Sequence, residues 1–298
     1  MLGRVSYYLN PMDAETKESI VSTMKEAEGV AEEVVRLPWI RSLTKFGFYT
    51  KGLLFIVIGI SAIALAAGLR GGRIADPMGA MSTIAQMTFG RVLLLLIVVG
   101  AIGHGLWNVL RGFADVDNKG KGVMAIIQRC LSVGIGIFYF FLATTALRIV
   151  LSNSASVQNG QAEQYITWVF LSIPLGALVV LLIAIGFVVA AGNECYTGFT
   201  GKFLETYRSW QLSPAVEKFV LALGVISFPT RALLYLLTGY FFFLAANLND
   251  PYQAEGMDGA LLALARSRFG EILLFISGFG LVCHGILAFF EAKYRRIC

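Results

Sequence analysis

Apolar positions fall into six long runs: Phe48–Leu69, Val92–Leu110, Leu131–Leu151, Trp168–Ala191, Phe228–Leu248 and Ile272–Phe290. A run of about 20 apolar residues crosses the hydrocarbon layer of a bilayer as a helix. Inside lipid each segment must satisfy its own backbone hydrogen bonds, so the pattern predicts an all-α bundle of six transmembrane helices. The runs are apolar nearly all round, and periodicity therefore assigns no inward face to any of them. Ahead of the first run the pattern changes. Between Met12 and Leu37, Ile20, Val21, Met24, Ala27, Ala31, Val34 and Val35 recur at helical spacing among Glu and Lys. This predicts an amphipathic helix ending at Leu37-Pro38, with Trp39 as an interfacial anchor. Its acidic run (Glu26, Glu28, Glu32, Glu33) disfavours an anionic lipid surface, leaving the bundle or a partner protein for its apolar face. The stretch Tyr196–Lys218 reads as a short surface helix and a turn at Ser213-Pro214.

Composition sharpens the class. Of 298 residues 57% are hydrophobic and 14% charged, with mean hydropathy +0.71; soluble domains carry about 25% charged residues. Met1–Arg36 has no continuous apolar core of the kind a cleavable signal needs, so this segment is expected to stay on the chain. The net charge of +5 does not point to nucleic acid, because the basic residues sit at helix ends. Fifteen of them gather on one side: Arg36, Arg41, Lys45, Lys51, Arg111, Lys119, Lys121, Arg129, Lys202, Arg208, Lys218, Arg231, Lys293, Arg295 and Arg296. The other side has six: Arg70, Arg73, Arg91, Arg148, Arg266 and Arg268. The excess predicts cytoplasmic termini in a multi-pass protein of the inner, cytoplasmic membrane. Four cysteines (Cys130, Cys195, Cys283, Cys298) form no CxxC or zinc spacing and read as free thiols.

The chain repeats itself. Residues 48–105 align without a gap on residues 228–285, with 16 identities. Phe89-Gly90 returns as Phe269-Gly270, Gly79-Ala80 as Gly259-Ala260, and Gly100 with His104-Gly105 as Gly280 with His284-Gly285. A divergent middle copy is legible in Gly136-Ile137-Phe138-Tyr139 (for Gly52 to Phe55) and Pro174-Leu175-Gly176 (for Thr88 to Gly90), with Ala190 in the histidine position. Three two-helix units entering and leaving on the same side are parallel repeats about an axis along the membrane normal. The expected organisation is a cytoplasmic segment 1–41, repeat one over 42–122, repeat two over 123–215 and repeat three over 216–298, in a pseudo-threefold bundle.

This layout resembles the domain-of-unknown-function 1206 family of bacterial membrane proteins. The matching residues are Lys45, Gly47, Phe48, Gly52, Gly59, Gly79, Ala80, Phe89 and Gly90 in repeat one, and Phe228, Gly239, Gly259, Ala260, Leu261, Phe269 and Gly270 in repeat three. The resemblance implies three tandem two-helix repeats and no chemistry. The chain departs from the pattern in keeping only Pro174 of the connector prolines, and in placing His104 and His284 where the family pattern leads one to expect tyrosine.

Those two histidines are the first candidate site. Each lies in Gly-x-x-x-His-Gly, and glycine on both sides clears space beside the imidazole. A flat macrocycle needs such clearance, so His104 and His284 are candidate axial ligands of haem b or chlorophyll; packing between crossing helices explains the same glycines. Intramembrane histidines also serve proton or ion paths. Lys51 and Arg231, equivalent in the two repeats, either snorkel to headgroups or, with Asn108, line a polar vestibule. Arg91 and Arg111 answer to Glu271 and Glu291, which would pair if helices two and six met. Asp250, Glu255 and Asp258 cluster in an outer connector and read as a solvated acidic loop. No phosphate loop, catalytic triad or intramembrane carboxylate pair is expected, so no catalytic residue is assigned. Three functions remain open: a non-enzymatic scaffold or subunit of a membrane complex, with partners docking on the N-terminal helix; a haem or chlorophyll subunit; and a small-solute or ion carrier or channel.

Overall fold

The computed structural model describes residues 29, 33, 37–69, 77–114, 122–152, 161–207 and 212–295. The amphipathic segment expected before Leu37 lies outside these except for Gly29 and Glu33, both helical. Helices are α1 Pro38–Ala66, α2 Pro77–Ala85, α3 Gly90–Ala114, α4 Val123–Ser152, α5 Gln161–Leu171, α6 Gly176–Thr200, α7 Pro214–Leu248, α8 Met257–Ala265 and α9 Gly270–Tyr294. Short 3-10 turns form at Lys202–Thr206 and Pro251–Gln253. Among the described residues there is no strand, only an isolated bridge between Tyr207 and Arg295. Six helices (α1, α3, α4, α6, α7, α9) are long and apolar enough to cross a membrane. The chain is an all-α multi-pass membrane protein.

Local chemistry sets the ends. Pro38 and Pro214 stand at the first helical positions, where a missing N–H costs nothing. Ser213 caps α7, accepting from the Val216 N–H at 3.4 Å, so Ser213-Pro214 opens a 35-residue helix and is not an isolated turn. The fourth membrane helix also differs from expectation. Trp168 belongs to the short α5, the chain turns through Ser172–Leu175, and α6 then runs nine residues past Ala191. Three short connector helices, α2, α5 and α8, end in the same turn. Gly90, Gly176 and Gly270 each donate a backbone hydrogen bond to the third residue back (Met87, Ile173, Ser267) and open the next long helix. Leu175 takes the left-handed conformation there, φ 64°, at a cost of about 1–2 kcal/mol for a non-glycine residue.

Packing between long helices is uneven. The most extensive pairings are α1 with α9, α6 with α7, and α3 with α4; α1 with α3 and α7 with α9 follow. Glycines make the crossings close. A Cβ on Gly59 would stand 2.5 Å from the Gly278 carbonyl oxygen, and one on Gly278 would stand 2.7 Å from that of Gly59. Gly52 and Gly285 are reciprocal in the same way (2.7 and 2.6 Å), as are Gly105 and Gly136 (3.0 and 2.8 Å). At α6–α7 a Cβ on Gly239 would lie 3.1 Å from the Ala184 oxygen. The side chain of Thr50 fills the space before Gly100, and that of Thr230 the space before Gly280. The main apolar core (Leu54, Ile58, Leu94, Leu142, Leu234, Leu274, Leu281) is closed by Ala80, Met81 and Ile84 of α2 and Ala260, Leu261 and Leu264 of α8. Two connectors therefore plug one end of the bundle.

Because the Gly278 carbonyl and both the backbone and side chain of Val282 crowd Gly59, Gly59→Leu is expected to destabilise the protein by about 3 kcal/mol or abolish folding. Gly192→Leu, on a surface with nothing within 4 Å, should be tolerated. Melting curves of the two variants in one detergent check this.

Candidate functional site

The structure answers three questions left by the histidines and the cations. The first concerns the imidazoles. His104 is 5% exposed and His284 2%. His104 meets Phe48 and Tyr139 with ring centroids at 5.0 and 4.3 Å; His284 meets Phe55 and Phe228 at 4.7 and 6.1 Å. The rings cross at 62–81°. The glycine flanks are occupied by Thr50, Thr230 and the backbones of Gly52 and Gly136. Both imidazoles are packed among aromatic rings, and the glycines beside them stand at helix crossings. Nδ1 of His104 and both ring nitrogens of His284 are buried without a hydrogen-bond partner. Near-perpendicular rings let an imidazole N–H point at an aromatic face, a weak substitute. Among the described residues no group of three His, Cys, Asp or Glu is placed to hold a metal.

The second concerns the cations. Lys51 and Arg231 do not reach outward to headgroups; their side chains are 14% and 12% exposed and each pairs with a carboxylate on a neighbouring helix. Lys51 Nζ donates to Glu291 Oε2 at 3.1 Å, and Arg295 Nη1 donates to Glu291 Oε1 at 3.0 Å. Arg231 Nη1 lies 3.1 Å from Glu194 Oε2, and Arg231 also donates to the Tyr235 hydroxyl. The two groups form one electrostatic cluster: Lys51 feels Glu291, Arg231 and Arg295, while Glu194 feels Arg231, Lys51 and Glu291. Both histidines lie within reach of Lys51, and Tyr139 within reach of Arg231. Aromatic faces line the cluster, with Arg231 5.8 Å from the Phe55 centroid and Arg295 5.3 Å from that of Phe48. Asn108 donates to the carbonyl of His104 at 2.8 Å and is spent on its own helix.

The third concerns what the sequence reading missed. Glu194 and Glu291 lie in membrane-length helices and are buried against cations of neighbouring helices. Hydropathy ends the fourth span at Ala191, a turn short of Glu194, whereas the helix runs on to Thr200. Glu291 was matched with Arg111 across helices two and six, but α1 packs against both of those helices and its Lys51 engages Glu291. Below the cluster the chain after α6 folds back. Phe203 and Tyr207 pack with Val220, Leu223, Cys283 and Leu287, and Tyr207 bridges to Arg295. Burial, followed by the Glu291 charge, raises the Tyr207 hydroxyl well above its ordinary pKa.

The family described as Domain of Unknown Function (DUF1206) matches the sequence over residues 46–115 and again over 226–295. The chain resembles the DUF1206 family in both regions. The DUF1206 regions hold most of α1 with α2 and α3, and most of α7 with α8 and α9, and with them both histidines, Lys51, Arg231 and Glu291; Glu194 lies between the two matches. The "Uncharacterized protein YxxB" of Bacillus subtilis (strain 168) is 29% identical over 260 residues, covering 87% of this chain and 93% of that protein. No solved structure matches.

Two predictions test the electrostatics. Glu194→Leu leaves Arg231 buried without its carboxylate and should cost about 3–5 kcal/mol, whereas Glu194→Leu with Arg231→Met should recover most of the loss; a double-mutant cycle by thermal melting reads both. At the opposite end, burial raises the pKa of Glu255 and Asp258, and the charge of Asp258 raises Glu255 further. An acid with a raised folded pKa holds its proton where the unfolded chain has released it. Stability therefore falls as pH rises from the ordinary carboxylate range through the raised values. A Tm-versus-pH series should show this slope, and Glu255→Gln should flatten it.

Proposed function

We propose that this chain is a non-enzymatic membrane protein that accepts an anion at a cationic site on its bundle axis, in the manner of a carrier. One observation carries the reading: three basic side chains (Lys51, Arg231, Arg295) are buried together with Glu194 and Glu291, and Lys51 and Arg231 each pair with a carboxylate of a neighbouring helix. Intramembrane ionisable groups are costly and mark function. Cations grouped in a low-dielectric interior attract an anion more strongly than they would in water. The scaffold reading rests on the N-terminal segment, and the tetrapyrrole reading on space that neighbouring helices occupy.

The site belongs to a bundle that we read as three repeats over 42–122, 123–215 and 216–298. Recurrent contacts support this. Gly52 against Gly285 answers to Gly136 against Gly105, and Gly59 against Gly278 answers to Gly239 against Ala184. Each histidine lies between the phenylalanine of its own first helix (Phe48, Phe228) and the aromatic of a neighbouring one (Tyr139, Phe55). On this reading Lys51 and Arg231, at equivalent positions of repeats one and three, would flank the threefold axis. The excess of Lys and Arg puts the termini, and hence the cluster, on the cytoplasmic half.

Inorganic phosphate titrated into detergent-purified protein is expected to raise Tm in a saturable way, by mass action on the folded state. The rise should vanish in Lys51→Gln and in the double variant Arg231→Gln/Glu194→Gln. No shift in the wild type, or an equal shift in both variants, overturns the axial site.

A further inference from the structure

On the three-repeat reading, each repeat contributes one aromatic residue a turn from the cations. Phe55 and Tyr235 are equivalent in repeats one and three, and Tyr139 is their counterpart in repeat two. Each packs on the second helix of the repeat before it in cyclic order. Phe55 meets His284 with ring centroids at 4.7 Å, Tyr139 meets His104 at 4.3 Å, and Tyr235 meets Phe187 at 6.0 Å. Lys51 and Arg231 stand four residues ahead of Phe55 and Tyr235, on the same helix faces. Repeat two has Ile135 in that position, so it brings a hydroxyl to the cluster and no charge. Tyr139 is also a member of the main apolar core, and Phe55 packs against it. The three rings therefore form a collar where the charged cluster gives way to the core.

Arg231 joins this collar to the cluster. Its guanidinium carbon lies 5.8 Å from the Phe55 centroid and 5.1 Å from that of Tyr235, and Tyr139 is within its electrostatic reach. Glu194 faces Nη1 at 3.1 Å and the Tyr235 hydroxyl accepts from Nη2, while Nε is buried with no hydrogen-bond partner. Both ring nitrogens of His284, which touches Phe55, are likewise buried without a partner. An imidazole carries at least one N–H, and the Tyr235 oxygen, in accepting from Arg231, leaves its own hydrogen to be given elsewhere. Buried donors without acceptors are rare and costly in a native fold. Donors gathered in this way suit a ligand that only accepts, and an ionised oxyanion is all acceptor.

Resting on the anion site described above, we propose that Tyr139 and Tyr235 set its specificity: their hydroxyls donate to an oxyanion (phosphate, sulfate or carboxylate) that Lys51 and Arg231 hold by charge. Phe55 closes the third side without a donor. Charge alone attracts any anion, chloride included. A site built to hydrogen-bond its ligand discriminates far more sharply against one that cannot use those bonds. Phe55 fills its position without a hydroxyl, so tyrosine-to-phenylalanine changes at the other two keep the ring packing and remove only the donors.

The test titrates inorganic phosphate into the full chain in detergent, at constant ionic strength balanced with sodium chloride, and follows Tm. Wild type is expected to show saturable protection over the chloride background. Tyr139→Phe/Tyr235→Phe should melt within a few degrees of wild type without phosphate and need about tenfold more phosphate for half-saturation, as the loss of hydrogen bonds to a charged acceptor implies. Tyr139→Phe alone leaves the Arg231 bond to Tyr235 in place and should show part of the same shift. Tyr240→Phe, at an exposed position of α7, should saturate as wild type does. Wild-type half-saturation in the double variant, or in Tyr139→Phe where the double variant does not fold, overturns the collar proposal, as does an equal loss in Tyr240→Phe. If wild type still responds to phosphate and Lys51→Gln does not, the axial site survives that result; if wild type gives no response, both readings fall.

Discussion

Close approach of helix backbones is the constraint on which this molecule depends. Lipid tails are as apolar as leucine, so burying leucine gives no net drive for helices to associate inside a bilayer. Contact must come from dense packing, and packing is densest where a side chain is absent. Gly59 with Gly278, Gly52 with Gly285, and Gly105 with Gly136 place main chain against main chain. Once these crossings are fixed, the rest has little freedom. The aromatic residues around each histidine, the threonines that key into Gly100 and Gly280, and the reach of Lys51 to Glu291 all follow from where the backbones touch.

The buried ion pairs are better understood as choosing an arrangement than as holding it together. Removing charges from water costs several kcal/mol per ion, and attraction between them returns this only with good geometry. Glu291 meets that condition by accepting from Lys51 on one oxygen and Arg295 on the other. Among the described residues Glu194 is paired with Arg231. Both carboxylates sit toward the C-terminal ends of their helices, an electrostatically unfavourable end for an anion. Their position makes sense only through the cations opposite. Lys51–Glu291 links α1 to α9 and Arg231–Glu194 links α7 to α6, so a slipped register would strand a buried charge.

Much of this was legible in the chain. Span count and helical class follow from lipid thickness and backbone hydrogen bonding, which act on composition alone. The joints between spans are only partly local: the Gly90 and Gly270 turns can be read residue by residue, whereas Pro38 and Ser213-Pro214 read as breaks although each opens a long helix. The site was only half legible. His104, His284, Lys51 and Arg231 stood out because polar residues in apolar helices are rare. Their partners did not, because an all-round apolar helix hides which face meets which neighbour. The glycines beside the histidines had two physical meanings, clearance for a ligand or approach of a helix, and only the identity of the neighbour separates them. Glu194 was lost to a boundary error, since hydropathy fades before a helix does.

The pairing of α1 with α9 has a consequence for how the protein is made. The first membrane helix to leave the ribosome finds its most extensive partner in the last one, more than two hundred residues later. At about 5–20 residues per second, that is a delay on the order of 10–40 seconds. Throughout it, the glycine face of α1 that α9 will cover is without its partner. Biogenesis must shelter that face, and a chain broken off before α9 would present it permanently to the membrane's quality-control proteases.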